Sequence, residues 1–385
     1  MPKSYRILLI GNLYDGHMVR FVTALKNINP NIFIDVFGIR INGKELPSVL
    51  KEHADNVFLS DFKLRFGGVK GLYLIEKSWK LKHCFHKYFG KKKYDVVDIH
   101  YPTFADRYLL RDIRRISKKL VLTPWGSDVY RISERQRKVV KKLYDAADYV
   151  TGNGLRFTKD FMCIYNIPDR KLKCLSLGGD DIDYFIEHQN DYNTEEAKKV
   201  LGIEGHYVIT CGYNGNPAQQ HEKIIESINK IRVQLPKNLL LLFPFTYGGS
   251  NEYREQIKTK VKELDLKAYY SEKYLDLQGL FLLRQATDMF IHVQTTDANN
   301  GSLKQYVWFG KNVVHGGWIC YDDIEKDGYK PYYTTPSMDE LSETIVKAYR
   351  KGPVEVKEET KQTIERYGYK YLAPKWNEMF ESIIE

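Results

Sequence analysis

Paired cysteines are missing from this chain. Its five cysteines, Cys84, Cys163, Cys174, Cys211 and Cys320, are odd in number and widely scattered, and no Cys-x-x-Cys occurs. That spacing argues against a disulfide framework and a structural zinc site, and fits thiols kept reduced in a cytoplasm. Long apolar runs are missing as well. The longest, such as residues 239–245, fall far short of the ~20 residues that span a bilayer. The opening Met1-Pro-Lys-Ser-Tyr-Arg6 leads directly into a strand-like run, so no signal peptide is expected. No internal repeat and no low-complexity tract interrupts the sequence. What is present is a hydrophobic content of 43%, which excludes general disorder, in 385 residues, enough for two domains of ordinary size.

Acidic residues are nearly absent from one stretch. The net charge is +10, and residues 62–94 carry ten lysines and arginines, from Lys63 to Lys93, against Glu76 alone. Phe66, Tyr73, Phe85, Tyr88 and Phe89 are interleaved with them, and Leu72, Ile75 and Trp79 recur at helical spacing. Two readings stay open. A basic aromatic helix suits an anionic membrane surface, with lysines on headgroups and Trp79 or Phe85 at the interface. The same residues suit a core-facing helix with a solvated basic face. Nucleic acid is not expected as a partner, because no recognised binding motif accompanies the charge.

Strand-like and helix-like segments alternate, which predicts an α/β fold with parallel sheets. Strands are expected near residues 6–12, 32–37, 56–59, 94–100, 119–123, 147–151 and 173–177. A fresh cycle follows near 207–212, 239–244, 267–270, 287–293 and 313–314. Two cycles predict two Rossmann-like domains, residues 1–190 and 200–365, with a polar linker near 185–204. A C-terminal helix, about residues 366–385, is expected to pack back on the first domain.

Loops at the strand ends carry the chemistry. After the strand ending at Val293 comes Asp297-Ala-Asn-Asn-Gly-Ser-Leu-Lys-Gln305, then a short helix ending at Gly310. A strand, a polar loop and a helix start offer backbone N–H groups to an anion. Asp297, Asn299, Asn300 and Gln305 add side chains able to hold sugar or ribose hydroxyls, with Gly301 and Ser302 between them. After Cys211 comes Gly212-Tyr-Asn-Gly-Asn-Pro-Ala-Gln-Gln-His221. Gly212 and Gly215 would let the backbone approach a ligand. The following helix start favours a diphosphate, and His221 would donate to it. The plain alternative is a strand-to-helix turn, since no G-x-G-x-x-G spacing occurs here. In the first domain, the strand ends present Asn12, Asp15 and His17; His100 and Tyr101; and Trp125, Gly126 and Asp128. Asp128 and His17 are the candidate bases, with helix capping and a loop turn as their structural alternatives.

The order of these pieces resembles GT-B glycosyltransferases, and the resemblance covers most of the chain. Asp297 stands at the first acidic position of the large family 4 group, and Gln305 stands where that group has a glutamate on the donor ribose. Ile167-Pro168, Gly179, Asp181 and Phe185 are similar to the segment that closes the family's first domain. Pro124-Trp-Gly-Ser-Asp128 looks like the loop that often has histidine where Trp125 stands. The run Gly212 to His221, including Asn214 and Asn216, is similar to TDP-linked acetamido-dideoxy-galactose transferases. So is Phe243-Pro-Phe-Thr-Tyr-Gly-Gly249, which contains Tyr247.

The resemblance implies two Rossmann-like domains facing across a cleft, a TDP- or UDP-linked sugar donor in the second, and no metal. It implies an acceptor in the first domain, near His100, Tyr101 and Trp125, lipid-linked or glycan, in cell-surface glycan assembly. A hexosyltransferase is expected, cytoplasmic and peripheral at the inner face of the plasma membrane. A sugar-nucleotide epimerase or hydrolase of the same fold, or a non-catalytic basic binding module, remain as alternatives.

Overall fold

The computed structural model describes residues 3–41, 43–61, 65, 72–297 and 299–385, the side chain of Leu74 excepted. Lys63, Phe66, Lys70 and Ala298, all part of the segments singled out above, lie outside the described residues. The chain forms two compact units. The first is Met1–Gly179 with Tyr369–Glu385, and the second is Asp180–Gly368.

The first unit is built on a seven-stranded sheet: β1 (Arg6–Ile10), β2 (Phe33–Ile39), β3 (Asn56–Ser60), β4 (Tyr94–His100), β5 (Ser117–Thr123), β6 (Tyr149–Gly152) and β7 (Leu172–Cys174). Their order is β3-β2-β1-β4-β5-β6-β7, and every pair is parallel. Strands covered on both faces must be apolar throughout, and Ile7, Leu8, Leu9, Val96 and Val97 are fully buried. The helix Gly16–Ile28 starts at the Asp15 cap and buries Met18, Phe21, Val22 and Leu25 on this sheet. The helix Tyr369–Ile384 covers it in turn. Trp376 meets Phe21 edge-on at 4.8 Å and donates its indole hydrogen to the Ser176 carbonyl at 2.8 Å.

The second unit repeats the plan with six strands: β8 (Tyr207–Cys211), β9 (Leu239–Phe243), β10 (Ala268–Tyr270), β11 (Met289–His292), β12 (Asn312–Gly316) and β13 (Tyr333–Thr335). The order is β10-β9-β8-β11-β12-β13, again all parallel. The three-residue strand β13 was not foreseen, being too short to show a pattern.

Residues 185–204 are not the linker that their polarity suggested. The first unit gives way to the second at Gly179, not near residue 190, and helices Asp180–His188 and Thr194–Leu201 follow. Asn193 and Glu196 form a reciprocal cap, and Gly202 ends the second helix at φ 68°. Most of the polar residues are solvated, but Lys198 is buried against Asp288, and Ile182, Phe185 and Ala197 are buried in the second core. Among the described residues, no helix is long and apolar enough to cross a membrane.

Candidate functional site

In doubly wound sheets, ligands sit beyond the C-terminal strand ends, where the strand order reverses. The first sheet reverses between β1 and β4, and the second between β8 and β11. Each reversal carries loops singled out in the sequence.

In the first unit a cavity of about 620 Å³ opens at the reversal, lined by Asn12, Asp15, His17, His100, Tyr101, Trp125 and Ser127 among others. Apolar groups such as Phe37, Leu81, Ile99 and Leu109 form much of its wall. Asp15 accepts the His17 backbone hydrogen at 2.9 Å, so its carboxylate shapes the turn. His17 is exposed, with its ring edge-on to Trp125 at 5.5 Å. Tyr101 takes a left-handed φ of 56°, and its hydroxyl meets Ser127 Oγ at 3.0 Å. His100 is buried, its Nε2 3.2 Å from the Asp98 carboxylate.

Asp128 does not line this cavity. It is buried, and its Oδ1 accepts the Trp125 and Gly126 backbone hydrogens at 3.0 and 2.7 Å. Burial pushes its carboxyl up to about 7, although those hydrogen bonds oppose the rise. The residue holds the loop that presents Trp125.

Asp106 is a cavity residue the sequence reading missed. It accepts from the Thr103 backbone and hydroxyl, both at 2.7 Å, and burial raises its carboxyl above the usual range. The signal was present: Thr103-Phe-Ala-Asp106 has the spacing of a capping motif before a short helix.

In the second unit the loop after β8 is shaped by its own neighbours. Gly212 has φ 68°, and a Cβ there would stand 2.8 Å from Gln219 Oε1. Gly215 donates to the Tyr247 carbonyl at 2.8 Å, and a Cβ on it would stand 2.7 Å from the Gly248 carbonyl oxygen. The close approach expected of these glycines toward a ligand is therefore already made to protein. Asn214 accepts from Asn216 N, and Asn216 from Ala218 N, both at 2.9 Å. Tyr247 is exposed beside them. His221 is fully buried against Phe243 and Phe245, and its Nδ1 meets the Tyr253 hydroxyl at 3.1 Å. Burial lowers its pKa to about 4, so the ring is neutral near pH 7.

The loop after β11 leads into the helix Gly301–Trp308, whose first turn is capped by Asn300 accepting from Ser302 N at 2.6 Å. Asp297 Oδ2 accepts from the Tyr321 hydroxyl and stands 3.1 Å from His292 Nε2. Asn299, at φ 78°, donates to the Tyr367 hydroxyl at 3.2 Å. Gln305 is buried between charges: its oxygen accepts from Arg284 Nε at 2.9 Å, and its nitrogen donates to Asp181. Arg284 also reaches Ser302 Oγ at 3.0 Å and the Tyr306 hydroxyl at 2.9 Å. Arg284, His292 and Tyr321 were not singled out, because isolated charged or aromatic residues carry no local pattern. Among the described residues, no cluster of three or more His, Cys, Asp or Glu is arranged to hold a metal ion.

The profile of a family described as Glycosyl transferase 4-like matches residues 6–153. No curated protein matches the chain. Solved structures match it over nearly its whole length. A glycosyltransferase from Rickettsia africae has 15% identity and a TM-score of 0.71, covering 100% of this chain and 99% of its own. Sucrose-phosphate synthase from Thermosynechococcus elongatus has 14% identity and a TM-score of 0.71, covering 98% of each. HepE from Anabaena, solved with UDP and glucose, has 16% identity and a TM-score of 0.69, covering 98% of this chain and 100% of its own. The fold is therefore GT-B, with two parallel α/β sheets.

Proposed function

We propose that this chain is a glycosyltransferase that moves a sugar from a nucleoside-diphosphate donor to a lipid-linked or glycan acceptor in cell-surface glycan assembly. The observation that carries the reading is the loop pair at the reversal of the second sheet. There, a polar loop ending in the Asn300 cap starts the helix Gly301–Trp308, an arrangement suited to an anion. The family profile over residues 6–153 and the UDP seen in HepE support the same reading.

The second unit takes the donor, through residues 212–216, Tyr247 and residues 297–302. The first unit takes the acceptor in its cavity, whose largely apolar wall suits a lipid-linked molecule. In an inverting transfer the acceptor hydroxyl oxygen bonds to the anomeric carbon. The bond from that carbon to the diphosphate oxygen breaks, and the nucleoside diphosphate leaves with the bonding pair. His17, exposed in the cavity, takes the hydroxyl proton, while Asp128 holds the loop beneath Trp125. The exposed basic helix of the first unit keeps the enzyme at an anionic cytoplasmic membrane face.

Thermal shift with UDP, GDP and TDP tests the donor, since a ligand of the folded state alone raises the melting point. A shift with at least one is expected, and none with any would sink the reading. Substitution His17→Ala should lower turnover about 10²–10⁴-fold with donor affinity kept. Asp128→Asn should leave turnover nearly unchanged; a collapse there would transfer the base role to Asp128.

A further inference from the structure

The cavity of the first unit carries two charged side chains that sugar transfer itself leaves unused. Helix Leu72–Phe89 contributes Lys77 and Leu81, which share one face of the helix. The turn Asp106–Tyr108 contributes Asp106, and Leu109 follows it. Phe37 of β2 and Ile99 of β4 line the cavity as well. Phe37, Leu81, Ile99 and Leu109 are all buried, so the two charges share the cavity with hydrocarbon. One oxygen of Asp106, Oδ2, is taken by the Thr103 backbone and hydroxyl, and among the described residues no side chain donates to Oδ1. Lys77 Nζ meets the Tyr73 hydroxyl at 3.5 Å and forms no ion pair among the described residues. Burial raises the Asp106 carboxyl. The Thr103 hydrogen bonds and then the Lys77 charge oppose the rise, so the ammonium lies close enough to act on it.

A group that fills this place must donate to Asp106, accept from Lys77 and cover apolar surface. A prenyl chain would bury both charges against hydrocarbon, which excludes the lipid of a lipid-linked acceptor from this part of the cavity. A sugar carboxylate suits Lys77 but faces Asp106, and a free sugar ammonium suits Asp106 but faces Lys77. A hydroxyl donates and accepts but leaves the apolar wall uncovered. An acetamido group meets all three demands. Its N–H donates to Asp106 Oδ1, its carbonyl accepts from Lys77, and its methyl lies on the wall.

We propose that the accepting sugar is N-acetylated, and that Asp106 and Lys77 select it by holding its acetamido group. The proposal rests on the reading that this cavity takes the acceptor. Both residues set specificity and touch no reacting atom; the hydroxyl proton stays with His17.

Saturation-transfer NMR on the full chain tests this, with methyl glycosides of N-acetylglucosamine, N-acetylgalactosamine and N-acetylmannosamine beside those of glucose, galactose, mannose and glucosamine. At least one acetylated sugar should bind about ten- to a hundredfold more tightly than its parent hexose, the scale of one hydrogen bond to a charged group. The strongest saturation should fall on the acetyl methyl. Equal affinity for acetylated and parent sugars, or no binding of any acetylated sugar, would overturn the proposal. Asp106→Asn keeps an oxygen for Thr103 and sets an amide donor against the ligand N–H. Lys77→Met keeps the stem and removes the ammonium, and it carries the test if Asp106→Asn fails to fold. Each should cut the preference for the acetylated sugar about tenfold or more, with parent-hexose affinity within a few fold. A merely structural role would weaken both sugars alike, and a preference that survives in both variants would overturn the assignment. Thermal shifts with nucleotides separate this from the reaction. Selective binding of an acetylated sugar without any nucleotide binding would keep the assignment and overturn sugar transfer. Equal turnover onto acetylated and plain acceptors would keep sugar transfer and overturn the assignment.

Discussion

Gln305 stands where the resembled family has a ribose-binding glutamate. Its surroundings give a reason for an amide. One side faces the Arg284 guanidinium, the other the Asp181 carboxylate. An amide accepts from the first and donates to the second with one side chain, which a carboxylate cannot do. A glutamate would keep the arginine and set two carboxylates together. Gln305→Glu should therefore lower stability by about 1.5–3 kcal/mol, the scale of a hydrogen bond to a charged group. The loss should shrink on mild acidification. Adding Asp181→Asn reverses the acid and the amide, and should restore most of the melting temperature. If the double variant is no more stable than Gln305→Glu alone, the bridge is not what selects glutamine.

At the scale of elements, the helix Leu72–Phe89 divides the apolar residues of the basic segment into a covered and an exposed set. Leu81, Phe85 and Phe89 are buried in the first unit, so Phe85 is no interface residue. Leu72, Ile75 and Trp79 lie on the other side, Ile75 and Trp79 being 69% and 67% exposed. Not every lysine is free to meet a lipid. Lys92 pairs with Asp35 at 3.0 Å, and Lys93 donates to the Arg115 carbonyl at 2.6 Å. A membrane test should therefore target the exposed face. Wild type should float with anionic liposomes at low salt and release at high salt, each near-surface lysine contributing about 1 kcal/mol. Ile75→Glu with Trp79→Glu should abolish flotation while nucleotide binding persists. Flotation equal to the wild type would show that this face is no contact. Periodicity showed that a helix was there, because a 3.6-residue repeat is local. It did not show which apolar stripe is covered, because that depends on strands distant in sequence. The strand–helix alternation made both sheets legible for the same local reason. The burial of Asp128 and His221 was not legible in the sequence, because burial, which decides whether a polar group meets ligand or protein, is not local.

At the scale of the whole molecule, the two units should answer acid differently. Asp128 in the first unit has its folded pKa raised, from 3.8 to about 7, by burial. The native state then holds more protons than the unfolded chain between these values, so its contribution falls as pH rises through them. His221 in the second unit has its folded pKa lowered, from 6.5 to about 4, by burial. Its contribution is complete above 6.5 and lost as pH falls toward 4, about 3 kcal/mol at most. Calorimetry at pH 7 and pH 5 should show Asp128→Asn removing an acid-side gain, and His221→Phe removing an acid-side loss. Equal pH slopes in all three proteins would contradict both assignments.

The covering of Phe21 by Trp376 has a consequence for how the chain is made. A ribosome finishes Gly179 and must then deliver all of Asp180–Gly368 before Tyr369–Glu385 emerges to complete the first unit. At about 5–20 residues per second, the nascent first unit waits for many seconds with part of its apolar surface bare. The second unit has no such gap in its chain and can close while the first is still waiting. Order of synthesis and order of completion are thus inverted. During that interval the incomplete first unit is a natural client for a chaperone, and a ribosome stalled before Tyr369 would leave it permanently open.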